Sequence, residues 1–174
     1  MTNLIMEAGK ISPDTHTAAE VVRLLALEPL EQEGGFFRRT AESAVIDPAS
    51  GRRAYSVIYA LITPMGFSAL HRLAADEVWC FHAGDPLESL RLAPEGQGEW
   101  VKLGLNPAAG ERPQDVITAQ VWQGTRLVAG GRWALVSCVV APEFQWEDFE
   151  LADCTELSTA YPEFAQGIKA LTRV

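Results

Sequence analysis

The residues with the clearest potential for chemistry are a histidine and a glutamate six positions apart. His71 lies in an apolar run that ends at Leu73, and Glu77 begins the next run. Such a pair on neighbouring strands can ligate a metal ion, or can act as a general base with its orienting carboxylate. Side chains alternate between the two faces of a strand, so Glu77, Trp79 and Phe81 share one face. If these faces line one barrel, His71 and Glu77 meet inside it. The alternative is a structural contact that holds two strands together.

Further candidates lie elsewhere in the chain. Trp122 offers a flat indole face to a sugar or an aromatic ring, and the Gln123 amide can recognise hydroxyl groups, although Trp122 is equally a core candidate. Arg39 belongs to a group of early arginines whose guanidinium forks suit carboxylate or phosphate, but which form surface ion pairs more often. His82 has the opposite parity from Glu77, which favours a surface role unless a bulge shifts the register.

The segments around these residues have the pattern of an antiparallel sandwich or barrel. From about residue 34 to 154, short runs rich in Val, Ile, Tyr, Phe and Trp alternate with Gly, Pro, Asn and Asp. There is no internal repeat and no linker, so we expect one domain over residues 1–174.

Helices are predicted on either side of the strands. Apolar residues spaced three and four apart predict an amphipathic helix over about residues 14–27, capped by Ser12 or Asp14 and stopped by Pro29. The segment of about 156–171, interrupted by a proline, predicts two short helical pieces.

The composition is acidic. Of 174 residues, 23 are Asp or Glu and 14 are Lys or Arg, a net charge of −9. Nucleic acid and anionic membranes need clustered positive charge, so neither is expected as a partner, and we expect a small-molecule ligand.

The N-terminal part lacks a secretion signal, and no apolar run approaches the ~20 residues of a membrane span, which predicts a cytoplasmic protein. Three cysteines without a C-x-x-C pair predict no disulfide framework.

Several motifs resemble one family. The string DEVW at 76–79, followed by AGDPLE at 83–88, is similar to the signature of a little-characterised single-domain branch of the cupin superfamily. Collinear matches to the same branch are EGGFFR at 33–38, SALHR at 68–72, GERPQ at 110–114, VWQG at 121–124, VAP at 140–142 and DFEL at 148–151. The resemblance implies an all-β jelly-roll barrel, with an N-terminal helix and short C-terminal helices, that is commonly a homodimer.

The resemblance also implies a reduced metal site. The general cupin motif has two histidines one residue apart, then a glutamate, and a third histidine in a second motif. His71 and Glu77 fit this pattern, whereas Leu73 takes the place of the second histidine and Gln123 that of the third. A divalent ion (Fe, Mn, Ni or Zn) would then be held by His71, Glu77 and Gln123 with waters, more weakly than by the full set.

Three functions follow from these residues and the resemblance. In the first function, the protein is an isomerase or epimerase that acts on a sugar-like or polar carbonyl substrate. This function is similar to that of the metal-independent sugar-nucleotide epimerases of the superfamily. His71 is then the general base, Glu77 orients it, and Tyr59 or Tyr55 donates a proton from the opposite face. Substrate contacts are expected from Arg39, Trp79, Phe81, Trp122 and Gln123.

The second function is that of a metal-dependent isomerase, lyase or oxygenase, and the third is a non-catalytic ligand-binding barrel. In each, we expect the acidic charge on the outside of the barrel.

Overall fold

The fold consists of two stacked six-stranded sheets with short helices around them, in a computed structural model that describes residues 10–173. The strands are β1 Glu28–Pro29, β2 Phe36–Glu42, β3 Ser56–Ile62, β4 Ser68–Leu73, β5 Asp76–Gly84, β6 Leu87–Leu92, β7 Gly98–Leu103, β8 Glu111–Arg112, β9 Gln114–Ile117, β10 Trp122–Leu127, β11 Ala134–Ala141 and β12 Phe149–Leu151. The helices are α1 Ala18–Leu25, α2 Cys154–Ala160 and α3 Ala165–Leu171, with 3-10 turns at Pro107–Ala109, Trp146–Asp148 and Pro162–Phe164.

The strand order is that of a jelly roll, as expected. One sheet has the order β1-β2-β3-β11-β5-β9, and the other has the order β12-β4-β10-β6-β7-β8. Pairing is antiparallel, apart from the parallel contact of β7 with β8. Consecutive strands β3 to β6 alternate between the sheets, so residues that are close in sequence face each other across the barrel.

The first helix is shorter than predicted and begins at a different cap. Thr17 is the N-cap of α1, and its side chain accepts a hydrogen bond from the Glu20 amide while the Glu20 carboxylate accepts one from the Thr17 amide. This reciprocal capping box satisfies two free amides, which the expected caps cannot do because Ser12 is bonded to Thr15 instead. The helix ends at Leu25, four residues before Pro29, because Ala26 adopts the left-handed conformation.

Apolar residues pack on both faces of the sheets. A central cluster between the sheets contains Trp79, Phe81 and Leu103. A second cluster joins the outer face of the β4–β10–β6 sheet to α2 and α3, and a third joins the outer face of β3 and β11 to α1. None of the helices within residues 10–173 is long and apolar enough to cross a membrane.

Strand register places a polar row across the inner face of one sheet. Gln123 of β10 is paired with His71 of β4 on one side and with Arg91 of β6 on the other. Glu77 of β5 faces this row from the opposite sheet, since its carboxyl is bonded to Gln123. The row therefore fixes the relative positions of the chemically active side chains through backbone pairing.

Candidate functional site

The candidate site is a cavity of about 340 Å³ at one end of the barrel. Its lining includes His71 and Leu73 from β4, Glu77 from β5, and Cys138 from β11. Strand alternation predicts that His71 and Glu77 share a barrel interior, and the structure brings them to the same cavity. Most of the remaining lining is apolar, as in ordinary small-molecule sites.

The His71 ring is held in one orientation by the backbone. Its Nδ1 lies 2.7 Å from the carbonyl oxygen of Ala69, and a carbonyl only accepts, so Nδ1 carries the proton and Nε2 carries the lone pair. The ring also stacks on Phe149, with 4.9 Å between centroids, and the residue is 2% exposed. Within residues 10–173 the ring is hydrogen-bonded through Nδ1, which leaves Nε2 available to a ligand.

Glu77 is a buried carboxyl in the same cavity. Its Oε2 accepts a hydrogen bond of 2.5 Å from Nε2 of Gln123, and the residue is 7% exposed. Burial raises the pKa of the Glu77 carboxyl, against the opposing charge interaction with His71, and the nearby Glu33 adds to the rise. The rise extends the pH range over which Glu77 holds a proton, and in that form the carboxyl can donate a hydrogen bond.

A second carboxyl, which we did not predict as a site residue, lies beside the His71 ring. Oε1 of Glu33 is 4.0 Å from Nδ1 of His71 and accepts a 2.5 Å hydrogen bond from the Ser68 hydroxyl. The expectation that Glu77 orients His71 is therefore wrong, since Ala69 holds the ring and Glu33 is the adjacent carboxylate. The available sequence signal was the EGGFFR match at 33–38, which contains Glu33.

The mouth of the cavity carries charge and aromatic rings. Arg39 lines it, but its side chain is 41% exposed and forms a 2.6 Å ion pair with Glu42. Phe144 and Trp146, from the segment between β11 and β12, also line the cavity, and their ring centroids are 4.9 Å apart. An anion-binding Arg39, as we predicted, would have to compete with its present carboxylate partner.

Neither predicted proton donor, Tyr59 on β3 or Tyr55 directly before it, lines the cavity. The β3 side chains that line it are Ser56 and Ile58, so Tyr59 points to the opposite face of the strand. There Tyr59 packs with the cluster under α1 and lies edge-on to His82, with 6.1 Å between ring centroids. Tyr55 is 41% exposed and is also absent from the lining. The expected tyrosine acid is therefore wrong.

The predicted aromatic contacts are also corrected. Trp79 and Phe81 point inward as expected, but they belong to the central core and not to the cavity lining. Trp122 lies on the outer face of β10, against the cluster that α2 and α3 cover, with the Arg72 guanidinium 4.6 Å from its ring centroid. Gln123 is 1% exposed and contacts Glu77, so it supports the site from behind.

His82 lies outside the barrel, as its parity predicts. The residue is exposed, and its Nε2 is 2.8 Å from the Ser137 hydroxyl. A register shift in the β11–β5 pairing occurs at this position, but it does not turn His82 inward.

The residues present do not fit the expected divalent metal. Within residues 10–173, no three His, Cys, Asp or Glu side chains are grouped so that they could hold an ion. Gln123 contributes only a neutral amide oxygen: its Nε2 donates to Glu77, whereas its Oε1 is buried without a hydrogen-bond partner among the described residues. The raised pKa of Glu77 disfavours the carboxylate that a metal requires, so the two neutral groups, His71 and Gln123, are left as the free donors.

The acidic charge is not confined to the outside of the barrel. Glu28 and Glu33 line the cavity together with Glu77, whereas Arg39 is its only guanidinium among the described lining residues. Glu33, which is partly buried beside His71, is therefore an exception to the expectation that the acidic charge lies on the outside of the barrel, whereas Glu28 is exposed.

Comparison with known proteins identifies relatives with this fold. The family model described as Cupin superfamily (DUF985) matches residues 19–152. A crystal structure of a protein from Shewanella oneidensis is 38% identical, with a TM-score of 0.83, covering 91% of this chain and 98% of that one. A hypothetical protein from Leishmania major is 33% identical, with a TM-score of 0.83 and coverage of 91% and 100%.

More distant structures share the fold alone. Oxalate decarboxylase from Lactobacillus farciminis, in a formate complex, is 12% identical, with a TM-score of 0.52 over 86% of this chain and 43% of that one. No curated protein matches the chain.

Proposed function

This chain belongs to the cupin superfamily, in its DUF985 family, and from that premise we propose that it is an enzyme that isomerises or epimerises a small polar carbonyl compound by proton transfer. The observation that carries the proposal is geometric: Nε2 of His71, whose ring is held through Nδ1, and the buried carboxyl of Glu77, whose pKa is raised by burial, lie in one cavity. A ring nitrogen with a lone pair and a carboxyl group that can hold a proton supply the two halves of acid–base catalysis.

In this mechanism His71 acts as the general base. Its Nε2 takes a proton from the carbon next to the substrate carbonyl, and the electron pair of that C–H bond moves into the carbonyl to form an enolate. The resulting imidazolium keeps its Nδ1 hydrogen bond to Ala69 and lies near the Glu33 carboxylate, which stabilises its charge. The isomer forms when the carbonyl oxygen takes the proton of Glu77, the neighbouring hydroxyl gives its proton back to Glu77, and the imidazolium returns its proton to the former carbonyl carbon. The epimer forms when water protonates the opposite face of the enolate and the imidazolium releases its proton to solvent.

Glu77 acts as the hydrogen-bond donor to the developing enolate oxygen. A carboxyl group that burial keeps neutral can stabilise such an oxygen by donating its proton into a shared hydrogen bond. Gln123 holds this group in place through its 2.5 Å hydrogen bond. The apolar lining, including Leu73 and Val140, limits the access of water to the reacting atoms.

Deuterium exchange tests this function even where the substrate is unidentified. The full chain is incubated in D2O with a panel of hydroxyketones and aldoses, and mass spectrometry measures deuterium at the carbon next to the carbonyl. We expect exchange with at least one compound, slowed roughly 10²–10⁴-fold in His71→Asn. The matched control is His82→Asn, which alters a histidine outside the cavity and should exchange at the normal rate. Equal rates for the wild type and His71→Asn, or no exchange with any compound, would contradict the proposal, and the latter would favour a binding barrel.

A further inference from the structure

The cavity holds more negative than positive groups. Glu33 has a side chain that is 18% exposed, and within residues 10–173 neither it nor Glu28 has a Lys or Arg nitrogen within 4.0 Å. The one guanidinium of the lining, Arg39, is already paired with Glu42 outside the cavity. The group nearest to Glu33 that can carry a positive charge is His71, 4.0 Å away, and it is neutral when it acts as the base. A largely buried carboxylate without a permanent cationic partner is costly, and a ligand that brings a positive charge removes much of that cost.

The hydrogen-bonding groups on the His71 and Glu33 side of the cavity are acceptors, whereas Glu77 is the donor to the substrate carbonyl. The hydrogen bond that holds the His71 ring among the described residues is made by Nδ1, so Nε2 remains available, and it accepts in this tautomer. The carboxylate of Glu33 likewise only accepts, and its single side-chain donor is the Ser68 hydroxyl. A complementary ligand must therefore supply N–H or O–H donors.

The aromatic part of the lining suits a cation. Phe37, Phe144 and Trp146 all border the cavity, and the rings of the last two stand almost perpendicular, at 85°. Ring faces attract ammonium groups within about 6 Å, most strongly in the case of tryptophan. Carboxylates and aromatic rings together distinguish an ammonium group from a neutral hydroxyl. The hydroxyl forms neither an ion pair with the carboxylate nor a cation–π interaction with the ring.

We propose that this cavity selects a ligand with a protonated primary amine, so that the substrate of the reaction proposed above is an amino-substituted carbonyl compound. The substrate assignment rests on that proposed function, whereas the preference for an ammonium group concerns binding alone. Glu33 supplies the main charge for this preference, and Glu28 adds to it. A cavity of about 340 Å³ is at the small end of ligand sites, which fits a compound of single-sugar size.

The probes are glucosamine and glucose, which differ by an ammonium group in place of one hydroxyl. Isothermal titration calorimetry at pH 6.5, where the amine is protonated, should show that glucosamine binds about tenfold more tightly than glucose. Glu33→Gln keeps the side-chain shape and should abolish most of the tenfold preference, because it should weaken glucosamine binding far more than glucose binding. The matched control, Glu163→Gln, removes an exposed carboxylate outside the cavity and should leave both affinities unchanged.

Equal affinities for the two sugars, no measurable binding of glucosamine, or an unaltered preference in Glu33→Gln would overturn the proposal. The two proposals fail separately. Deuterium exchange without an amine preference refutes only the ligand assignment. An amine preference that depends on Glu33, without exchange on any compound, refutes only the catalytic function.

Discussion

Relative to the wild type, Glu77→Gln should gain stability as the pH rises. Burial raises the pKa of Glu77 above its ordinary value of 4.5, so in the interval between these two values the native carboxyl holds a proton that the unfolded chain has lost. In that interval the free energy of unfolding falls with pH, by at most about 1.4 kcal/mol per pH unit for one proton. Glutamine is neutral throughout, and its carbonyl oxygen can still accept the hydrogen bond from Gln123.

The assay is urea unfolding of the wild type and of Glu77→Gln from pH 4 to pH 8. The difference in unfolding free energy should be constant near pH 4, move in favour of the variant as the pH rises, and level off above the native pKa. Glu163→Gln, which alters an exposed carboxylate, serves as the control and should show no such trend. A flat difference for Glu77→Gln, or a trend that favours the wild type, would mean that Glu77 is ionised in the native state and cannot be the proposed donor.

Three further predictions concern the supporting structure. Gly35→Ala should lower the free energy of unfolding by about 2 kcal/mol, because the added Cβ would lie 2.6 Å from a carbonyl oxygen of β3. Gly51 has a similar positive φ but open space around it, so Gly51→Ala should lower the free energy of unfolding by only about 1 kcal/mol. Chemical denaturation measures both values. Asp115→Leu should cost about 3–5 kcal/mol by leaving the buried Arg91 charge unpaired, and adding Arg91→Leu should recover part of this loss. Tyr59→Phe should leave deuterium exchange unchanged, and a tenfold loss would contradict its position outside the cavity.

Strand alternation predicted the inner faces of β4 and β5 but not those of every strand. On β5 the burial alternates as predicted, since Glu77, Trp79 and Phe81 are buried and the residues between them are less so. On β4 the face opposite His71 is also partly hidden, because Leu70 is buried in the cluster under α2 and α3. On β3 both faces are apolar, since α1 covers the outer one, so the alternation gave no signal that separates Tyr59 from Ile58. A face hidden by a helix has the same composition as a face hidden by the opposite sheet.

The lining of the cavity depends on contacts between segments that are distant in sequence. Trp79 and Phe81 lie on the predicted face, but packing against the opposite sheet makes them core, and only the strand ends remain open to the cavity. Glu33 reaches His71 from a loop before β2, where no periodic pattern assigns a direction. Such positions require the tertiary arrangement.

The central claim, that Nε2 of His71 transfers the proton, is tested most directly by ¹⁵N nuclear magnetic resonance of the histidine ring. In the wild type at a pH where the ring is neutral, we predict a proton on Nδ1, a bare Nε2, and a change in the Nε2 signal when a bound ligand donates to it. Assignment of the signal comes from its loss in His71→Asn. A neutral ring with its proton on Nε2 would contradict the account, because His71 would then present an N–H donor to the cavity and could not act as a base there.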